Sequence, residues 1–313
     1  MTLYQILSEN ARKSPGFTIG LGFFLYLIGA YFVTPLLGLS LRTMMDLSDA
    51  QSTQFFSGDF SVHPLARTAL LLIQSTHQIL AYGVSSLIVL QMAGYSQRDR
   101  GLKSPKPINI LLWGSMIMLG SIFWGQFLNF DPNHTYLPES MQEMEQSFQE
   151  VELRNRDFMA GIMHFENPVN IIWAILVMAV VPAFCEEFFF RSMVQQELMK
   201  QMGPILAITV SAMIFSFMHL QFHGFLGRLA LGFILGWMFW KTGNLWTSIL
   251  GHFVFNAVSI IGGYLSLRSN NWEWPEGSQL SLPWYGVLIA LLVSVGAAYI
   301  LHIQATRNIV HEE

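Results

Sequence analysis

The stretch running from Val169 to Arg191 reads VNIIWAILVMAVVPAFCEEFFFR. Its run Ile171–Cys185 is apolar throughout. A helix of roughly 20 such residues is what a bilayer core demands, so a fourth membrane span is expected to start near Val169. The span continues past Glu186 and Glu187 to Arg191, where a lipid-facing helix carries no charge. A charged side chain at mid-membrane costs about 2.5–3.5 kcal/mol and turns to the interior of a helix bundle. The stretch therefore predicts an all-α integral membrane protein in which other helices surround these acids.

The rest of the chain agrees. Of its 313 residues 52% are hydrophobic and only 12% are charged, against about 25% in soluble domains. Mean hydropathy is +0.43. Further spans are expected at Phe17–Leu41, Thr68–Gly94, Ile108–Phe130, Gly203–Leu220, Phe222–Trp240, Leu245–Leu267 and Leu282–Ile303, making about eight. The first is too long for the apolar core of a signal peptide and reads as an anchor. An even count puts both termini on one side, and basic residues select the side. With the N-terminus cytoplasmic, Arg12, Lys13, Arg98, Arg100, Lys103, Lys106, Arg191, Lys200, Lys241 and Arg307 lie inside. Only Arg42, Arg67, Arg154, Arg156 and Arg268 lie outside, which predicts an N-in, C-in topology. The outer segment Asp131–Glu166 carries eight carboxylates, and Glu139–Met159 reads as a surface helix with a solvated face. Net charge is −4, so no basic field exists for nucleic acid. The single Cys185 excludes an intramolecular disulfide and a cysteine-based zinc cluster.

Three polar clusters interrupt the apolar runs of the second half. In the first, Glu186 and Glu187 point about 100° apart on a helix and cannot share a task. Glu187 and Arg191 are spaced i,i+4 and can pair, which leaves Glu186 on another face without a local partner. Apolar surroundings favour the neutral form of a carboxyl, as a general base acting on water requires. The second cluster is Phe215 and His219, one turn apart near the end of the fifth span; His223 follows across a turn and makes a weak zinc spacing. The third is His252 and Asn256, again i,i+4, both needing partners in hydrocarbon. A base, a proton donor and oxyanion donors are the minimum set for water attack on a carbonyl. Each pair taken singly is equally compatible with a helix–helix hydrogen bond or ion pair. No HExxH, GxGD or Gly-x-Ser-x-Gly pattern and no glycine-rich phosphate loop occurs. A polar group of Gln74, Thr76, His77 and Gln78 in the second span would suit a transporter or plain interhelical hydrogen bonding.

The ordered set EExxxR, FxxxH and HxxxN resembles the type II CAAX prenyl protease family, also called the Abi or CPBP family of intramembrane proteases. It is matched at Glu186, Glu187 and Arg191, at Phe215 and His219, and at His252 and Asn256, with no departure. The resemblance spans residues 168–267 and suggests three parts. Residues 1–167 are three N-terminal helices with an acidic extracytoplasmic linker, 168–267 a catalytic core of four helices, and 268–313 a last helix and tail. It implies an intramembrane endopeptidase acting on a membrane-associated protein or peptide, of CAAX type. In that reading Glu186 activates water, Glu187 positions Arg191, His219 completes the water or metal site, and His252 and Asn256 bind the developing oxyanion. The family was named for metalloproteases. Glu186, His219, His252 and Asn256 form an acceptable set for a divalent metal such as zinc, and the same groups suffice without one. The reading inclines to a metal-optional site. A non-catalytic membrane scaffold or sensor of the same fold is the alternative, with a transporter as a third. The expected location is a bacterial inner membrane.

Overall fold

The computed structural model describes residues 2–105, 107–128, 136–163, 170–268 and 283–312, with side chains for all of these except 126 and 307–312. Residues 129–130 of the third expected span, residue 282 of the eighth, both ends of the acidic segment, Lys106 and the side chain of Arg307 lie outside the described residues. Among the described residues the only regular elements are helices. We label them α1 (Leu3–Lys13), α2 (Pro15–Met44), α3 (Asp49–Ser57), α4 (66–92), α5 (Ile108–Gly125), α6 (Gln142–Met163), α7 (Asn170–Met199), α8 (Pro204–Phe217), α9 (Phe225–Thr242), α10 (Leu245–Arg268) and α11 (Trp284–Glu312).

Five of these are long and apolar enough to cross a membrane: α2, α5, α7, α10 and α11 up to Thr306. Helices also occupy the positions of the second, fifth and sixth expected spans, but they fall short of that standard for physical reasons. The polar run Gln74–Gln78 interrupts α4, α8 has only 14 residues, and α9 carries Arg228 and Lys241. The α2 and α11 surfaces leave Tyr31, Phe32, Leu292 and Tyr299 exposed, as lipid contact requires.

The main core gathers Tyr82 of α4, Phe188–Phe190 and Met193 of α7, Phe215 of α8 and Leu235 of α9. Helix α7 is the hub, and its backbone is not uniform. It widens into π turns at Leu176–Val180 and Phe188–Gln195, either side of the Glu186–Glu187 pair. Such widenings are rare and occur often at functional sites. Similar segments occur at Gly29–Val33 in α2 and Gln78–Val84 in α4.

Several basic residues gather at two ends of the helices, whereas Arg191, expected in an inner end segment, is buried among the helices beside Glu187. At one end Arg100 pairs with Glu197, Lys200 lies 2.7 Å from Glu197 Oε1, and Trp246 donates to the Lys103 carbonyl over 3.1 Å. At the other Arg42 pairs with Asp49 and Arg67 donates to the Gly161 carbonyl. That carbonyl belongs to α6, which covers much of the expected surface helix but is not simply solvated. Glu145 and Glu152 are buried, and Phe148 stacks on Phe222 with centroids 4.9 Å apart.

Candidate active site

The seven motif residues come from three helices and one turn, and most of them meet around the Phe215 ring. Glu187 is fully buried and its two oxygens face different partners. Oε2 lies 3.0 Å from Arg191 Nε, an ion pair between neighbouring turns of α7. Oε1 lies 2.8 Å from His252 Nδ1, reaching across to α10. A carboxylate oxygen only accepts, so Nδ1 carries the proton and the ring presents Nε2. Arg191 in turn donates over 3.0 Å to the Gly232 carbonyl of α9 and sits 5.0 Å from the Phe215 centroid. One turn further along α7, Gln195 donates over 3.0 Å to the Gly236 carbonyl.

Those two donations depend on how near α9 comes. A Cβ at Gly232 would meet Ala212 Cα at 3.2 Å and Phe215 Cδ1 at 3.1 Å. Glycines four apart allow helix backbones to approach this closely. Gly232→Val is therefore expected to push α9 off α8. Overpacking of this kind costs about 1–3 kcal/mol. A lower melting temperature in detergent together with loss of the Arg191 anchorage would be read by thermal unfolding; an unchanged melting temperature would contradict the packing account.

His219 lies beyond the end of its helix. The expected FxxxH face presumed a continuous turn, but α8 ends at Phe217 and Leu220 adopts a left-handed φ of 52°. The imidazole nevertheless returns to the same place. His219 Nδ1 donates to the Phe215 carbonyl over 2.9 Å, and its ring packs 5.0 Å from Phe215. His252 packs edge-on to the other side, 6.1 Å from Phe215. Phe215 thus spaces two imidazoles, both held through Nδ1. Arg228 and His252 lie within electrostatic range of His219. His223 is buried and its ring packs edge-on to Phe222.

Asn256 is turned aside. Its amide lies 3.5 Å from the Met178 carbonyl, a long contact. Pro182, four residues after Met178, has no N–H to offer that carbonyl.

Glu186 is buried and lies within electrostatic range of His252, Glu187 and Arg191. Its hydrogen-bond partner comes from far away in sequence: Gln78 Nε2 of α4 donates to Glu186 Oε1 over 3.0 Å. In the sequence Gln78 stands out only as part of a polar run. Of that run, His77 meets Thr34 of α2 at 3.4 Å, so two of its members serve contacts between helices.

As a ligand set for an ion the arrangement does not fit. Among the described residues no three His, Cys, Asp or Glu side chains converge on one point. Glu186 is engaged by Gln78, and Asn256 faces Met178. A wholly apolar groove of about 560 Å³ opens on neighbouring residues of the same helices. It is lined by Ile79, Phe184, Cys185, Ile249, Leu250 and Phe253 among others, each next to or within three residues of Gln78, Glu186 or His252.

No curated protein and no solved structure matches the chain. A family model does match, over residues 168–258, which take in all seven motif positions. The segment that carries Glu186, Glu187, Arg191, Phe215, His219, His252 and Asn256 is similar to the Rce1-like type II CAAX prenyl endopeptidase family, whose model it matches.

Proposed function

We propose that the protein is an intramembrane endopeptidase that hydrolyses a peptide bond of a membrane-associated protein or peptide, with Glu186 as general base. The observation that carries this is the division of labour between adjacent acids. Glu187 is consumed by Arg191 and His252, whereas Glu186 is held by one neutral donor and keeps a second oxygen for chemistry. Water gives a proton to Glu186 as its oxygen bonds to the scissile carbonyl carbon. The carbonyl π pair moves onto oxygen, where Asn256 would donate after leaving Met178 and where His252 donates from Nε2 as an imidazolium balanced by Glu187; His219, whose Nδ1 proton is held by the Phe215 carbonyl, offers Nε2 as an acceptor. Collapse of the adduct breaks the C–N bond, and the proton held by Glu186 passes to the departing amine.

The apolar groove supports substrates of CAAX type, whose reacting end is attached to an apolar chain. Leu250→Trp is expected to fill the groove and lower kcat/KM for a lipid-tailed peptide about tenfold to a hundredfold. That is the equivalent of about 1.5–3 kcal/mol of apolar contact. Cleavage of a tail-less peptide should stay the same. Equal losses on both would remove the groove from substrate binding.

We read α4, α8 and α9 as also lying in the membrane, giving eight spans. The N-in, C-in orientation is favoured by the collection of Arg100, Lys103 and Lys200 at one end. A bacterial inner membrane suits this reading. The deciding experiment is cleavage of a fluorogenic, lipid-tailed peptide by the purified protein in liposomes, with and without chelator. Cleavage that survives chelation is the expected result. Loss restored by zinc would replace the metal-independent account, and flux of solute without cleavage would replace the protease.

A further inference from the structure

The contact that holds the proposed base comes from outside the matched segment. Gln78 is buried, and its Nε2 donates to Glu186 Oε1 over 3.0 Å. Among the described residues its own Oε1 is buried without a hydrogen-bond partner. Leaving a buried carbonyl oxygen unsatisfied costs free energy, so such atoms are rare and call for a reason.

Packing leaves the side chain little room to move away. Gln78 opens the π-turn segment Gln78–Val84 of α4. Within that segment a Cβ on Gly83 would meet Cys185 Sγ of α7 at 3.2 Å. On the other flank a Cβ on Gly29 of α2 would meet Ala81 Cα at 2.9 Å. The backbone of α4 is thus wedged between α2 and α7, one residue from Glu186.

We propose that Gln78 is a positioning residue for hydrolysis: its amide N–H fixes one oxygen of Glu186 while its carbonyl oxygen accepts from the attacking water. The inference rests on reading Glu186 as the base. A water with one O–H on the second Glu186 oxygen and the other on Gln78 Oε1 has its lone pair directed out of the plane of those two bonds, towards a bound carbonyl carbon. The carboxamide is neutral and cannot take the proton, so the proton goes to Glu186 alone. The N-terminal helices of this chain then complete the site.

Gln78→Met keeps the length and most of the volume and removes both hydrogen bonds. Its kcat on the fluorogenic peptide should fall about tenfold to a hundredfold with KM and melting temperature unchanged, the range found for partners that orient a reacting group. In the Glu186→Gln background the same substitution should cause no further loss, because positioning has nothing left to position. A kcat equal to wild type overturns the proposal. So does a loss shared between kcat, KM and melting temperature that also adds to the Glu186→Gln loss, since this is what a packing role produces. If Gln78→Met fails to insert, Gln78→Asn gives the same reading, with the amide one carbon short of Glu186. Full cleavage by Glu186→Gln itself would be a different failure, that of the base assignment.

Discussion

Glu186→Gln is expected to lower the rate of peptide cleavage about 10²- to 10⁴-fold, the range general-base catalysis supplies, while leaving the melting temperature at or slightly above that of the wild type. The two halves of this result have separate causes. The new carboxamide is the same size as the carboxyl, and its oxygen still accepts from Gln78 Nε2, so the bridge between α4 and α7 persists. Its charge is gone, and a buried charge is costly when its compensation is incomplete. The carboxamide cannot accept the proton of water at neutral pH, so hydrolysis fails. The pair of measurements is initial rate in liposomes and thermal unfolding in detergent. A rate within threefold of wild type would show that another group takes the proton. A large drop in melting temperature would assign Glu186 to structure.

How much of this was legible beforehand depended on the range of each interaction. The Glu187–Arg191 pair spans one helical turn, and spacing alone predicted it. The missing N–H of Pro182 was also readable, although nothing in the sequence said that Asn256 would approach the Met178 carbonyl. Gln78 was not readable as the partner of Glu186. The two are 108 positions apart, and a glutamine in a span signals a hydrogen bond without naming its acceptor. His219 shows a local rule failing with little consequence. The helix stops two residues early, yet the hydrogen bond to the Phe215 carbonyl and the ring contact return the imidazole to the expected place.

The span count shows a different difficulty. Hydropathy is a sum over a window, and α4 and α9 bury polar groups against neighbours that a window does not include. Gln78 faces Glu186, and Arg228 returns to the Gln221 carbonyl over 2.8 Å. Two short helices carry clear start signals in the sequence. Thr2-Leu-Tyr-Gln5 and Ser48-Asp-Ala-Gln51 are both capping boxes, with the N-cap hydroxyl and the glutamine side chain satisfying each other's backbone N–H, and they open α1 and α3. The acidic segment was read as solvated from its composition. Glu145 is instead buried and accepts from the Leu137 N–H over 3.0 Å, because a charged residue can fold back on its own chain where a backbone donor lacks a partner.

Arg191→Met is expected to be the most destabilising single change in the site. It removes the guanidinium and leaves Glu187 buried with only His252 Nδ1 beside it. Breaking one side of a buried ion pair costs about 3–5 kcal/mol, much of it the desolvated charge left behind. The donation to Gly232 disappears as well, so α7 and α9 lose a tie at the level of Phe215. Adding Glu187→Gln to this variant removes the orphaned charge and should recover a substantial part of the melting temperature. It should not recover cleavage. A carboxamide can accept from His252 Nδ1, but it cannot stabilise the imidazolium that forms when the ring shares charge with the oxyanion. Stability and activity therefore separate in the double variant. If both returned together, Glu187 would be only a counter-ion for Arg191, and His252 would owe its orientation to something else. If neither returned, the tie to Gly232 rather than the charge pair would be what holds α7 in register.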